Sequence, residues 1–205
     1  MSDRSLPEKS QDPLRIGIIV GSTRPGRSGE AVARWAIEIA KKRKDAEFEL
    51  VDLQEYSLPL LDVPIPPSVG RPPPAHAQGW AEKVASLDAF VFVTPEYNHS
   101  TSGALKNAID YLYKEWNNKA AGFVSYGSAG GVRAVEHLRL IMAELQVATV
   151  RAQAWFTFSQ DFENYTKFQP SAGKEQSVTA MLDQLVSWGR ALKTVRVSDQ
   201  MPHSS

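Results

Sequence analysis

The chain contains no cysteine. Disulfides, iron–sulfur clusters, thiolate zinc sites and cysteine nucleophiles are therefore excluded. Histidine is scarce: His76, His99, His137 and His203 are scattered, with no metal-ligand spacing. Neither charge is in excess, since 23 Lys and Arg face 23 Asp and Glu, for a formal net charge of zero. A nucleic-acid partner selects a basic surface, so none is expected. No apolar run approaches membrane-spanning length, and the polar residues 1–13 lack the apolar core of a signal peptide. A cytoplasmic location without membrane partners is the expectation. Both common nucleotide fingerprints are missing: there is no G-x-G-x-x-G, and no Gly-Lys-Ser/Thr ends a glycine-rich loop.

What remains is an ordinary globular composition. The 205 residues, 42% hydrophobic, suit one domain. Residues 1–13 read as a disordered extension, 14–195 as the domain and 196–205 as a flexible tail. The organising stretch is Gly21-Ser22-Thr23-Arg24-Pro25-Gly26-Arg27-Ser28. An apolar run, Leu14 to Val20, feeds into it, and a helical pattern with Val32, Trp35, Ala36, Ile39 and Ala40 on one face leaves it. The N-terminus of such a helix binds anions, because its first N–H groups lack partners and its dipole is positive there. Ser22, Thr23 and Ser28 add hydroxyls, and Arg24 and Arg27 add guanidiniums that grip phosphate in pairs of hydrogen bonds. The loop reads as a phosphate cradle; the alternative is a polar turn that only joins strand to helix.

Further strands are expected at Glu47–Leu53, Ala89–Val93, Ala120–Tyr126 and Val147 to about Phe158. Helices are expected at Gly79–Ser86, from Leu105 into Trp116, at Val132–Leu145 and at Val178–Val195. Between Leu53 and Gly79 seven prolines exclude regular structure, and Asp161–Lys174 reads as polar and irregular. Lys41-Lys42-Arg43-Lys44 reads as a solvated helix end rather than a nucleic-acid patch. Alternating strands and helices predict an α/β fold: a flavodoxin-like, five-stranded parallel sheet of order 2-1-3-4-5 with helices on both faces.

Ligands in such sheets bind beyond the carboxyl ends of the strands, at the switch point beside strand one. The loops there are the chemically unusual ones. After strand three comes Pro95-Glu96-Tyr97-Asn98, offering an aromatic face and an amide. After strand four comes Tyr126-Gly127-Ser128-Ala129-Gly130-Gly131, where glycines allow close backbone approach. A plain turn and a plain helix entry are the alternatives for these two loops, and His99 reads as a loop residue. Together, phosphate cradle and two flat-ligand loops match flavin mononucleotide.

Gly21 to Arg27, Thr94-Pro95-Glu96-Tyr97-Asn98-His99-Ser100 with Gly103-Ala104-Leu105-Lys106-Asn107-Ala108-Ile109-Asp110, and Phe123 to Gly131 resemble the NADPH-dependent FMN reductase family. These are flavodoxin-like flavoproteins that include quinone, azo-dye and chromate reductases. The resemblance implies that Ser22, Arg24, Arg27 and Ser28 hold the FMN phosphate non-covalently. It implies that Pro95, Glu96, Tyr97 and Asn98 line one side of the isoalloxazine, and that Tyr126, Gly127, Ser128, Gly130 and Gly131 meet its pyrimidine end. NADPH or NADH binds transiently, gives hydride to the flavin and makes way for a small-molecule acceptor. No side chain is needed as acid or base. Many relatives carry proline where this chain has Ser102, and a serine there can cap the following helix. Two other uses of the fold stay open: a flavodoxin-type electron carrier, against which the neutral charge counts, and a flavin-free binding protein. A homodimer or homotetramer is expected, because Tyr111, Tyr113 and Trp116 give more aromatic surface than a solvent-facing helix needs, and because such flavoproteins commonly pair through the helices after strands three and four.

Overall fold

A computed structural model describes residues 13–199. Five strands form one parallel sheet: β1 (Arg15–Val20), β2 (Glu47–Asp52), β3 (Ala89–Pro95), β4 (Lys119–Gly127) and β5 (Val147–Thr157). Their order is β2-β1-β3-β4-β5, as the sequence predicts. The central strands are buried on both faces, so they read as continuous apolar runs. Alternation still sorts their side chains. Ile16, Ile18, Val91, Val93 and Val124 face α1 (Gly29–Ala40) and the long C-terminal helix, while Phe90, Phe92 and Phe123 face α2 (Ala75–Ala85), α3 (Gly103–Asp110) and α4 (Val132–Glu144).

Several boundaries differ from the sequence reading. The proline-rich stretch holds two short 3-10 turns, Leu53–Tyr56 and Pro67–Val69. Helix α2 starts at Ala75 rather than Gly79, directly after Pro74. Proline is harmless at a helix start, because the N–H it lacks has no intrahelical partner there anyway. After β5 comes a four-residue helical turn, α5 (Phe158–Asp161), and a small hairpin of β6 (Phe162–Glu163) and β7 (Lys167–Phe168). Phe168 holds this hairpin down on Phe156 and Trp35, Phe162 packs on Phe158 and Tyr126, and the buried Asp161 carboxylate accepts from the Thr157 and Ser171 amides at 2.8 and 3.0 Å. The last helix, α6, spans Lys174–Asp199, so it passes the expected boundary at 195. The expected extension up to residue 12 and the tail from 200 lie outside the described residues.

The aromatic argument for assembly is corrected. Helix α3 ends at Asp110, and the chain then turns inward. Tyr111 and Trp116 are 1% and 0% exposed; the Trp116 indole donates to Ile109 O at 3.2 Å and its ring meets Phe90 at 4.9 Å. Two of the three aromatics are thus monomer core, and Tyr113 is half-buried with its hydroxyl donating to Glu144 O at 3.4 Å. Exposed apolar side chains lie elsewhere, among them Leu60 and Leu61 in the proline-rich stretch, Leu140 on α4, Tyr165 between β6 and β7, and Trp188 on the last helix.

Within the basic run after α1, Lys42 pairs with Glu175 and Arg43 with Asp45 and Asp183, while Lys44 is exposed.

Candidate active site

The first loop is tied to its neighbours before it meets any ligand. Gly21 N–H donates to Val93 O at 2.9 Å, and a side chain at position 21 would put its Cβ 2.9 Å from that same oxygen. Ser102 donates to Gly21 O and accepts from Leu105 N–H at 3.1 Å, so one hydroxyl caps α3 and anchors the loop. A proline at 102 could do neither. Arg24 to Arg27 form a turn closed by Arg27 N–H to Arg24 O at 3.1 Å, with Gly26 at φ 69° after Pro25, the pattern of a type II turn.

The two arginines part company there. The Arg24 guanidinium is exposed and makes no hydrogen bond or ion pair among the described residues. Arg27 turns back under the loop: its side chain is 8% exposed, pairs with Asp52 and donates to Ser22 O at 3.0 Å. Ser28 begins α1 without a side-chain cap, which leaves the first N–H groups of that helix without internal partners.

Two more strands deliver the rest. Beyond β3, Tyr97 and Ser100 exchange both backbone hydrogen bonds, 2.8 and 3.0 Å, around Asn98 and His99, each at positive φ. This is the geometry of a type I′ turn, for which asparagine is suited. The Tyr97 hydroxyl lies 3.0 Å from Ser22 Oγ and so reaches the cradle, while Asn98 sits at the exposed tip. Beyond β4, Gly130 N–H closes a turn on Gly127 O at 3.1 Å, and Gly130 and Gly131 sit at φ 75° and 73°. Ser128 is exposed at the tip of that turn, over three buried glycines.

A cavity of about 420 Å³ opens between these parts, lined by Arg24, Ser28, Pro95, Glu96, Tyr97, Tyr126 and Phe158. The Tyr126 hydroxyl is buried beside it, approaches the Gly29 amide at the start of α1 and completes no hydrogen bond. Burial, reinforced by Tyr97, pushes this phenol well above its usual range despite Arg24 and Arg27, so it remains a neutral donor. Six predicted residues thus line one cavity. Ser22 and Gly127, Gly130 and Gly131 form its supports, Asn98 and Ser128 its exposed tips, and Arg27 points away. Sequence reasoning missed Phe158, although it stands at the end of the expected fifth strand, where such sheets bind their ligands. It also missed Arg133 on α4, which forks onto Glu96. A second cavity of about 240 Å³ lies across the loop, between Thr23, Gln54, Ser57 and Asn107, so of the three cradle hydroxyls Thr23 faces this side.

Comparison with known proteins points the same way. The profile of the NADPH-dependent FMN reductase family matches residues 14–161. An NAD(P)H-dependent FMN reductase of Nectria sp is 32% identical over 194 residues, covering 83% of this chain and 94% of the relative. A quinone reductase of Escherichia coli K12 is 30% identical, covering 91% of this chain and 99% of the relative. Among solved structures, a flavoenzyme NAD(P)H:(acceptor) oxidoreductase of Paracoccus denitrificans superposes with a TM-score of 0.67 at 20% identity, over 87% of this chain and 98% of that one, a likeness of fold.

Proposed function

Because this chain belongs to the NADPH-dependent FMN reductase family, and so is an NAD(P)H-dependent oxidoreductase with FMN as cofactor, we propose that it reduces quinones, flavins or similar small acceptors in a ping-pong cycle in the cytoplasm. Membership displaces the carrier and flavin-free readings. The observation that carries the site assignment is the meeting of a free guanidinium, an orphan hydroxyl and an uncapped helix start in one cavity. Each is a donor without an acceptor, and a phosphate supplies acceptors to all three.

Arg24, Ser28 and the first amides of α1 hold the phosphate in this reading, with Tyr126 donating beneath. Ser22 supports them through Tyr97. Arg27 is assigned a different part from the one the sequence suggested: it braces the loop from below through Asp52. Pro95 to Asn98 line one edge of the ring, and the Gly127–Gly131 turn brings backbone amides to the other. FMN, when bound, supplies the redox chemistry, taking hydride from the nicotinamide and giving electrons to the acceptor. The chain contributes position and electrostatics. One open face serves donor and acceptor in turn, so double-reciprocal plots at several acceptor concentrations are expected to be parallel, with NAD(P)H oxidised steadily by the purified yellow protein. Intersecting lines with a detected ternary complex would count against a shared face.

The assembly proposed is a homodimer or a homotetramer. Support comes from the family and from Leu140, 74% exposed on α4, with Leu60, 84% exposed, in the proline-rich stretch. Sedimentation at micromolar concentration is expected to give at least twice the chain mass. A fully active, FMN-saturated monomer would sink this part.

A further inference from the structure

Glu96 and Arg133 need not touch a reacting atom, yet they join the two loops that face the ring. The Glu96 side chain, 6% exposed, accepts from the Arg133 backbone N–H at 3.1 Å and from Arg133 Nε at 2.6 Å, with Nη2 completing the fork. Helix α4 starts after Gly131 and has no side-chain cap of its own, so a carboxylate from another element provides it. Burial alone would raise the Glu96 carboxyl, but the Arg133 hydrogen bonds outweigh it and hold the group below the usual carboxylate range. The third guanidinium nitrogen, Nη1, lies 2.9 Å from His99 Nε2. A guanidinium only donates, so Nε2 is the acceptor in this contact. One turn along α4, His137 Nδ1 pairs with Ser100 Oγ at 3.0 Å. Helix α4 thus grips the Tyr97–Ser100 turn, whose two central residues, Asn98 and His99, both sit at positive φ.

Resting on the flavin reading of the site, we propose that Arg133 is a positioning residue that locks the Tyr97–Ser100 turn to the start of α4, so that the loops after β3 and β4 hold the ring as one rigid body. Without the fork the turn relaxes, and a mostly buried carboxylate is left uncompensated beside a ring that must gain electrons. Both effects act on the flavin and neither requires unfolding.

The test compares Arg133→Gln, Arg133→Lys and Glu96→Gln with the unaltered protein. In the FMN-free protein, Arg133→Gln is expected to speed amide hydrogen exchange at residues 97–100 by about tenfold. With FMN bound, it is expected to alter the visible circular dichroism, lower the flavin reduction potential and slow flavin reduction on the order of ten- to hundredfold. Arg133→Lys keeps the charge without the fork, so it is expected to restore the potential but not the exchange protection. Glu96→Gln removes the carboxylate instead, so it is also expected to speed exchange at residues 97–100 but to raise the flavin reduction potential, and it decides the proposal if Arg133→Gln does not fold. Wild-type exchange and an unchanged dichroism spectrum in the Arg133 variants, or in Glu96→Gln, would overturn the proposal. A protein that takes up no FMN would instead overturn the flavin reading, and the exchange measurement would still decide this one.

Discussion

Arg24→Ala is expected to weaken FMN binding roughly tenfold or more, with the fold and melting temperature unchanged. The guanidinium stands in the cavity without a partner, so removing it breaks nothing in the free protein. A hydrogen bond to a charged group contributes about 1.5–3 kcal/mol, and each 1.4 kcal/mol or so is a factor of ten in affinity. Arg27→Ala is expected to behave differently. Its guanidinium bridges Asp52 and Ser22 O inside the protein, so its loss loosens the loop and lowers stability. Fluorescence titration with FMN, alongside thermal melting, separates the two. Unchanged affinity in Arg24→Ala would remove that residue from the phosphate site.

Gly131→Ala is expected to give the largest stability loss. At φ 73° an alanine pays the left-handed cost, about 1–2 kcal/mol. Its Cβ would also lie 2.8 Å from Tyr126 N and 3.0 Å from Tyr126 O, both backbone atoms of a strand paired on each side. Those atoms cannot yield as a side-chain tip does, and overpacking of this kind adds about 1–3 kcal/mol. A fall in melting temperature of roughly 5–15 °C follows for a chain of this size. Gly26→Ala is the control: its φ of 69° is similar, but no atom lies within 4 Å of the built Cβ. Equal shifts in the two variants would refute the contact argument.

How much of this was readable in the chain depends on the range of the interaction concerned. The strands followed from apolar runs such as Phe90-Val91-Phe92-Val93, and their order from the strand–helix alternation, which fits a flavodoxin-like sheet. The three loops followed from a rule about where such sheets bind. The direction of a long side chain did not follow. Arg24 and Arg27 look alike in sequence, and only the arrival of Asp52 beneath the loop distinguishes them. Tyr111 and Trp116 looked like surplus surface because helical periodicity was extended past Asp110, where the chain turns inward. Ser102 was readable as a cap but not as the anchor of Gly21, since that bond joins positions 81 residues apart. Arg133 escaped for the same reason: its partner Glu96 stands in the loop after β3, 37 positions away.

The bond between Ser22 and Tyr97 also has a consequence for how the protein is made. The two residues are 75 positions apart, so at about 5–20 residues per second a ribosome takes roughly 4–15 s to supply the second after the first. Tyr126 and Phe158 emerge later still. During that interval β1 can pair only with β2, because its other neighbour is β3. A nascent chain therefore carries the cradle's sequence long before it has a cradle. Loading of the proposed FMN site is therefore expected after synthesis of these segments rather than during it.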